Sequence, residues 1–231
     1  MKIFINSNYS FYEKSLAVLL PSIPDRNHEF EIIVGGSPWE YKKETIDGFN
    51  YHFVNYDNID FTSFIFINEH PEIIKNKKFF LYIHDTTKMG TNFFNNLYKN
   101  LEINVKKFRS EEEFLQKTKH LKLTCEGYSM NMGMYRSDFN KENKHKNFLN
   151  LKNTDISEKG RREAKIHNLK NEDILLEGCT NSLTRKRRQI KFTENPYKTN
   201  IKRIEEYFSD LDFYKYKSNF DLTNHKEEIH L

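Results

Sequence analysis

Phe79-Phe80-Leu81-Tyr82-Ile83 is apolar and ring-rich throughout, and it runs straight into His84-Asp85-Thr86-Thr87. A strand with no polar alternation is covered on both faces, so it lies centrally in a sheet with further layers on each side. The run therefore directs the rest of the chain toward an α/β architecture, with a polar cluster waiting where the strand stops.

The neighbouring segments agree. Lys2-Ile3-Phe4-Ile5 reads as a short buried strand, followed by a polar loop, Asn6-Ser7-Asn8-Tyr9-Ser10. Residues 11–20 read as a helix, with Leu16, Leu19 and Leu20 at i, i+3, i+4 spacing and Pro21 as its stop. Phe30-Glu31-Ile32-Ile33-Val34 is a second strand, ended by Gly35-Gly36, where the backbone can turn tightly. Residues 51–56 form a third strand closed by Asp57-Asn58, and residues 61–70 and 92–100 read as helices. Strands alternating with helices in this way predict an α/β fold with a mostly parallel central sheet flanked by helices. In such sheets ligands bind beyond the carboxyl ends of the strands. The polar clusters at 6–9, 35–39, 57–60 and 84–87 are expected to converge there.

The second half is less regular. Residues 128–139 contain Asn131-Met132-Gly133-Met134-Tyr135, read as a strand with a glycine where something approaches closely. Residues 157–169 read as a polar helix, 182–191 carry Arg185-Lys186-Arg187-Arg188, and 200–220 read as a helix followed by an aromatic-basic stretch. The charged tail holds His225 and His230.

Composition closes off several classes. The 231 residues suffice for one domain with a real core, and aromatics at 15% exclude a disordered chain. A net charge of +4 argues for neither a nucleic-acid arm nor an acidic tail. No apolar run approaches the roughly 18 residues that cross a bilayer, so no transmembrane segment is expected. Cys125 and Cys179 stand far apart, which speaks against a disulfide framework or a cysteine zinc site. No HExxH, GxGxxG, GxxxxGK[ST] or GxSxG is present. A soluble, cytoplasmic, single-domain protein is expected.

Candidate chemistry collects at the strand ends. Asp85, at the rim where an apolar strand gives way to a cleft, is a carboxylate placed to hold Mg²⁺ or Mn²⁺ against a diphosphate. Its other reading is the cap of a following helix. Asp57 is placed to accept from a ribose or base, or simply to make a turn. Tyr9 is placed to stack on a base, or to pack. Arg185 and Arg188 suit a phosphate, as do Arg203 and Lys215, while a solvated charge face is the commoner explanation of such runs.

Three stretches together resemble the nucleotide-diphospho-sugar glycosyltransferases of the GT-A fold, whose small members occur in large DNA viruses (those of algae included), phages and bacteria. The first is residues 79–87, similar to that family's apolar strand and metal-binding acidic motif. The second is Asn131-Met132-Gly133-Met134-Tyr135-Arg136, similar to the segment lining donor and acceptor. The third runs from Arg203 through Tyr207 to Lys215 with Asn219-Phe220, similar to a C-terminal arginine–tyrosine–lysine pattern. The usual Asp-x-Asp is reduced here to Asp85, with Thr87 in the second place or, where Asp85 takes the last position, Ile83 in the first.

The resemblance implies one GT-A-like domain over 1–231. Residues 1–100 would bind the nucleotide-sugar, and 101–231 the acceptor, with a C-terminal helical and aromatic-basic extension that closes the site. It implies transfer of a hexose or deoxyhexose from a UDP-, GDP- or dTDP-sugar to a glycan hydroxyl. Asn6, Asn8, Tyr9, Asp57, His84, Asp85, Arg185, Arg188, Arg203 and Lys215 would bind the donor. Mn²⁺ or Mg²⁺ would sit on Asp85 with His230, or second His225, completing its shell. For an inverting enzyme Glu172 and Asp173, just before Ile174-Leu175-Leu176, would serve as base, with Glu126 behind them; their other reading is an exposed helix cap or turn, and a retaining enzyme needs no such base. No nucleic-acid partner is expected on this reading. Two other classes stay open: a basic nucleic-acid-associated protein working through 185–188 and 207–217, and an inactive sugar-nucleotide-fold scaffold.

Overall fold

The computed structural model describes residues 1–58, 61–118, 120–123, 132–138, 188–193, 196–197 and 203–218. A seven-stranded sheet runs in the order β3-β4-β2-β1-β5-β8-β7. Its middle is β1 (Lys2–Asn8), β2 (Glu29–Gly35), β4 (Phe49–Val54) and β5 (Phe79–His84). Each neighbouring pair in that group is parallel. β3 (Tyr41–Ile46) borders β4 in the antiparallel sense. On the other side β8 (Gly133–Arg136) and β7 (His120–Lys122) are antiparallel to what precedes them. The expected α/β arrangement with a mostly parallel centre is what the chain adopts.

Period-two alternation builds two cores from the same strands. Ile3, Ile5, Ile32, Val34, Leu81 and Ile83 lie in one buried cluster with Leu16 and Leu19 of α1 (Tyr12–Leu19) and Phe93, Phe94 and Leu97 of α3 (Phe93–Val105). Phe4, Ile33, Phe80 and Tyr82 lie in the other, with Phe64, Ile65, Phe66 and Ile67 of α2 (Thr62–Glu69). Helices therefore cover both faces, and β5 is as dry as its composition requires. A fourth helix, α4 (Glu111–Lys117), starts at Ser110, whose hydroxyl accepts from the Glu113 amide at 3.1 Å. Among the described residues no helix is long and apolar enough to cross a membrane.

A second sheet has the order β6-β11-β10-β9, from β6 (Thr87–Met89), β9 (Arg188–Thr193), β10 (Arg203–Phe208) and β11 (Phe213–Ser218). Here the expectation of a helix opening the 200–220 segment fails: the described part is an antiparallel hairpin, Phe208 facing Phe213 and Glu205 facing Tyr216. Asp212, at φ +54°, closes its turn. The aromatic-lysine alternation from Phe213 to Lys217 suits a pleat, and Phe208 and Phe213 bury against the α3 core. Two smaller corrections concern the first half. Residues 6–8 continue β1 rather than forming a loop. β3, unexpected from its polar composition, pairs along all of β4 as an edge strand rich in charge. Residues 157–169 lie outside the described residues.

Candidate functional site

Because β1, β2, β4 and β5 are parallel, their carboxyl ends share one edge of the sheet, and backbone hydrogen bonds knit the following turns together. The Tyr9 amide donates to Gly35 O (2.8 Å), Gly36 N to Tyr56 O (3.0 Å), Ser37 N to Val54 O (2.9 Å) and Asp85 N to Asn6 O (3.0 Å). The four polar clusters thus converge. Gly35 is required by space, since a β-carbon there would stand 2.8 Å from Thr62 Cγ2 and 2.9 Å from Tyr56 O. Gly36 turns the chain at φ +72°, a conformation that favours glycine.

At this edge the Asn8 side-chain amide donates to Asp57 Oδ2 at 2.6 Å, and Asn8 Oδ1 accepts from Ser10 N at 2.9 Å. Both bonds orient the carboxylate beside the Gly36 turn, where a β-carbon would be 3.4 Å from Asp57 Cβ. Next to the pair stands an aromatic group. The Tyr9 ring stacks on Tyr12 (5.7 Å between centroids) and meets Trp39 edge-on at 5.6 Å. Trp39 is 38% exposed, an unusual surface position for a large apolar ring, and the Lys42 ammonium lies 4.4 Å from its centroid. Burial pushes the Tyr12 phenol up to about 12, helped by its hydrogen bond to Glu13. A half-open aromatic wall beside an oriented carboxylate and a glycine turn is suited to a flat heterocycle carrying hydroxyl donors.

The other expected binding residues are placed differently. Asn6 is buried, and its Oδ1 accepts from the Ser63 amide (2.9 Å) and hydroxyl (2.8 Å), so it fastens the first turn of α2. His84 follows Tyr82 on the α2 side of β5, with their rings 5.3 Å apart. Asp85, 7% exposed, is directed to the opposite side. Its Oδ2 accepts from Ser7 Oγ and from Ser15 Oγ of α1, each at 2.5 Å. Burial raises its carboxyl above the usual range, although both serine bonds pull the other way. Lys215 lies across from Thr87 in the β6–β11 pairing, and Tyr216 N donates to Thr86 O at 2.9 Å. The hairpin therefore reaches the end of β5. Arg203 starts β10 opposite Ser218, three residues beyond Lys215, and Arg188 starts β9 opposite Phe208. Glu172, Asp173, Arg185 and His230 lie outside the described residues, as do Glu126 and His225.

A divalent ion finds little here. Consecutive residues 84 and 85 serve opposite faces, and the single carboxylate already takes two hydroxyls. Among the described residues no group of three His, Cys, Asp or Glu side chains converges for a metal. Asp85 and His84 thus do not fit a metal cage by themselves.

One competing hollow lies at the far end of β5, about 1320 Å³ in volume and lined by Lys77, Lys78 and Arg136. Each of those cations is already engaged, by Glu29, Glu111 and Asp138 respectively.

The residues that composition did not single out are Ser7, Ser15, Tyr12 and Trp39. Parity carries a signal for Ser7: residues 3, 5 and 7 of β1, like 81 and 83 of β5 and Asp85 just beyond it, extend the rows that face α1.

No protein-family model matches the chain, and no curated protein does. Among solved structures it is similar to the galactosyltransferase LgtC, crystallised with donor and acceptor sugar analogs. The similarity has a TM-score of 0.34 and 16% identity, over 77% of this chain and 70% of that one. Similarity at this level carries no weight on activity.

Proposed function

We propose that the protein is a glycosyltransferase, moving a sugar from a nucleotide-diphosphate donor to a hydroxyl of a glycan acceptor. The single observation that carries this is the Asn8–Asp57 pair, set beside the Gly36 turn and the Tyr9–Trp39 wall at the carboxyl edge of the parallel strands. A nucleobase offers a π-face to the rings, and a ribose diol offers donors to the Asp57 carboxylate. The bond from Asn8 fixes the carboxylate before the ligand arrives, which lowers the ordering cost of binding.

The chemistry follows from that placement. The acceptor oxygen attacks the anomeric carbon, the bond to the diphosphate oxygen breaks, and the nucleoside diphosphate leaves with the electron pair. Lys215, carried by the hairpin to the level of Thr87, supports the reading as a cation for the diphosphate. Glu172 and Asp173 are the proposed base for the acceptor proton, with Arg185, Arg188 and Arg203 as further phosphate partners. Mn²⁺ or Mg²⁺ would accompany the diphosphate and balance its charge, since Asp85 and His84 do not make a cage for it.

A thermal-shift screen with UDP, GDP, CDP and dTDP, with and without Mn²⁺, tests this. A ligand at a hundred times its dissociation constant stabilises by about 2.7 kcal/mol. One diphosphate is expected to raise the melting temperature of the wild type but not of Asp57→Ala, and the matching nucleotide-sugar to be slowly hydrolysed. No shift with any of the four contradicts the reading.

A further inference from the structure

Three separate stretches meet at Asp85. Ser7 comes from the end of β1, Ser15 from the buried side of α1 and Asp85 from the turn after β5; all three are buried, Ser15 completely. Both hydroxyls donate to one oxygen, Oδ2, at 2.5 Å. Ser15 Oγ also lies 3.1 Å from Tyr12 O and 3.3 Å from Phe11 O, but a hydroxyl has one proton, and the shortest contact is with Asp85. The main chain adds a third tie, Asp85 N to Asn6 O. Asp85 is aimed at α1, where Ser15 meets it.

The turn so anchored is where the two sheets join. Thr86 O accepts from Tyr216 N, Thr87 pairs with Lys215, and the Thr87 hydroxyl donates to His84 O at 2.7 Å. Movement of Asp85 would shift Thr86 and Thr87, and with them the register that brings Lys215 to the strand ends.

We infer that Asp85 is a positioning residue: through Ser7 and Ser15 it fixes the β5–β6 turn, and hence the hairpin bearing Lys215, and it gives no ligand to a divalent ion. Only the competing role, an ion held for a diphosphate, rests on the proposed function; the Ser–Asp linkage stands independently.

The test uses the full chain with Asp85→Asn, Asp85→Ala, Ser15→Ala and the Asp85→Ala/Ser15→Ala double variant. An asparagine oxygen still accepts from both serines, so Asp85→Asn is expected to melt close to the wild type, while Asp85→Ala falls by roughly 5 °C or more. Ser15→Ala is expected to lower the melting temperature in the wild type and to add little to Asp85→Ala. Mn²⁺ titration followed by electron paramagnetic resonance is expected to give the same result for wild type and Asp85→Asn. Affinity for whichever of the four nucleoside diphosphates binds the wild type is expected to weaken in Asp85→Ala and to return in Asp85→Asn. Additive losses for Ser15 and Asp85, or Mn²⁺ bound by the wild type and released by Asp85→Asn, would overturn the inference. If no diphosphate binds the wild type, the proposed function falls, and the Ser15 coupling and Mn²⁺ titration still decide the role of Asp85.

Discussion

The side-chain amide of Asn8, at the end of β1, donates to Asp57 Oδ2 at 2.6 Å across 49 residues of chain. That bond orients the Asp57 carboxylate beside the Gly36 turn before any ligand is present. Asn8→Ala is expected to leave the fold intact and to weaken nucleoside-diphosphate binding about tenfold, because about 1–1.5 kcal/mol of orientation is lost. Asp57→Ala is expected to cost more, and the double variant less than the sum. Calorimetric titration of the four proteins forms the cycle; strict additivity would show that the pair does not act as a unit.

Acid sensitivity is expected from Glu31. Burial alone would raise its carboxyl, but hydrogen bonds from His52 Nε2 (2.8 Å) and Lys2 Nζ (2.9 Å) outweigh burial and hold it below the usual range. A lowered folded-state pKa adds stability that is present above the ordinary carboxylate pKa and lost as pH falls through the folded value. Glu31→Ala is expected to cost about 3 kcal/mol at pH 7, leaving Lys2 buried without that partner, and clearly less in strong acid. Denaturant melts of both proteins across pH 2–7 check this; a pH-independent difference would contradict it.

At Gly90 a β-carbon would fall 2.0 Å from Asp212 Oδ1 and would displace that carboxylate, which accepts from the Asn92 amide (3.0 Å), while the Asp212 carbonyl accepts from Gly90 N (2.7 Å). Gly90→Ala is expected to destabilise by about 1–2 kcal/mol, because the Asp212 carboxylate must swing off the Asn92 amide. Asp212→Gly suits the +54° φ at that position and removes the clash, so it should partly rescue Gly90→Ala in a thermal melt. Worsening on combination would contradict this packing.

Much of this was legible in the chain, for physical reasons that can be located. The continuous apolar run from Phe79 marked the sheet's dry centre, and Gly35-Gly36 and Asp57-Asn58 marked the turns that converge. The hairpin was not legible because Ile204, Tyr207, Phe208 and Leu211 also satisfy i, i+3, i+4, i+7, and a short amphipathic stretch reads equally as helix or strand. β3 was hidden because Lys42, Lys43 and Glu44 protect an edge and carry no core signal. Asp85 looked like a rim carboxylate because its two serine partners come from distant stretches, and serines are ordinarily surface residues.

Trp39 is the one tryptophan of the chain, and its ring meets Tyr9 at 5.6 Å on the edge of the proposed nucleoside site. Its fluorescence therefore reports directly on a base entering there. The most direct measurement is a titration of UDP, GDP, CDP and dTDP against the wild type and Asp57→Ala, followed by Trp39 emission. A saturable change with one diphosphate, absent in Asp57→Ala, is the expected result. Emission that stays unchanged, or changes equally in the Asp57→Ala protein, would contradict a nucleotide-sugar site at these strand ends.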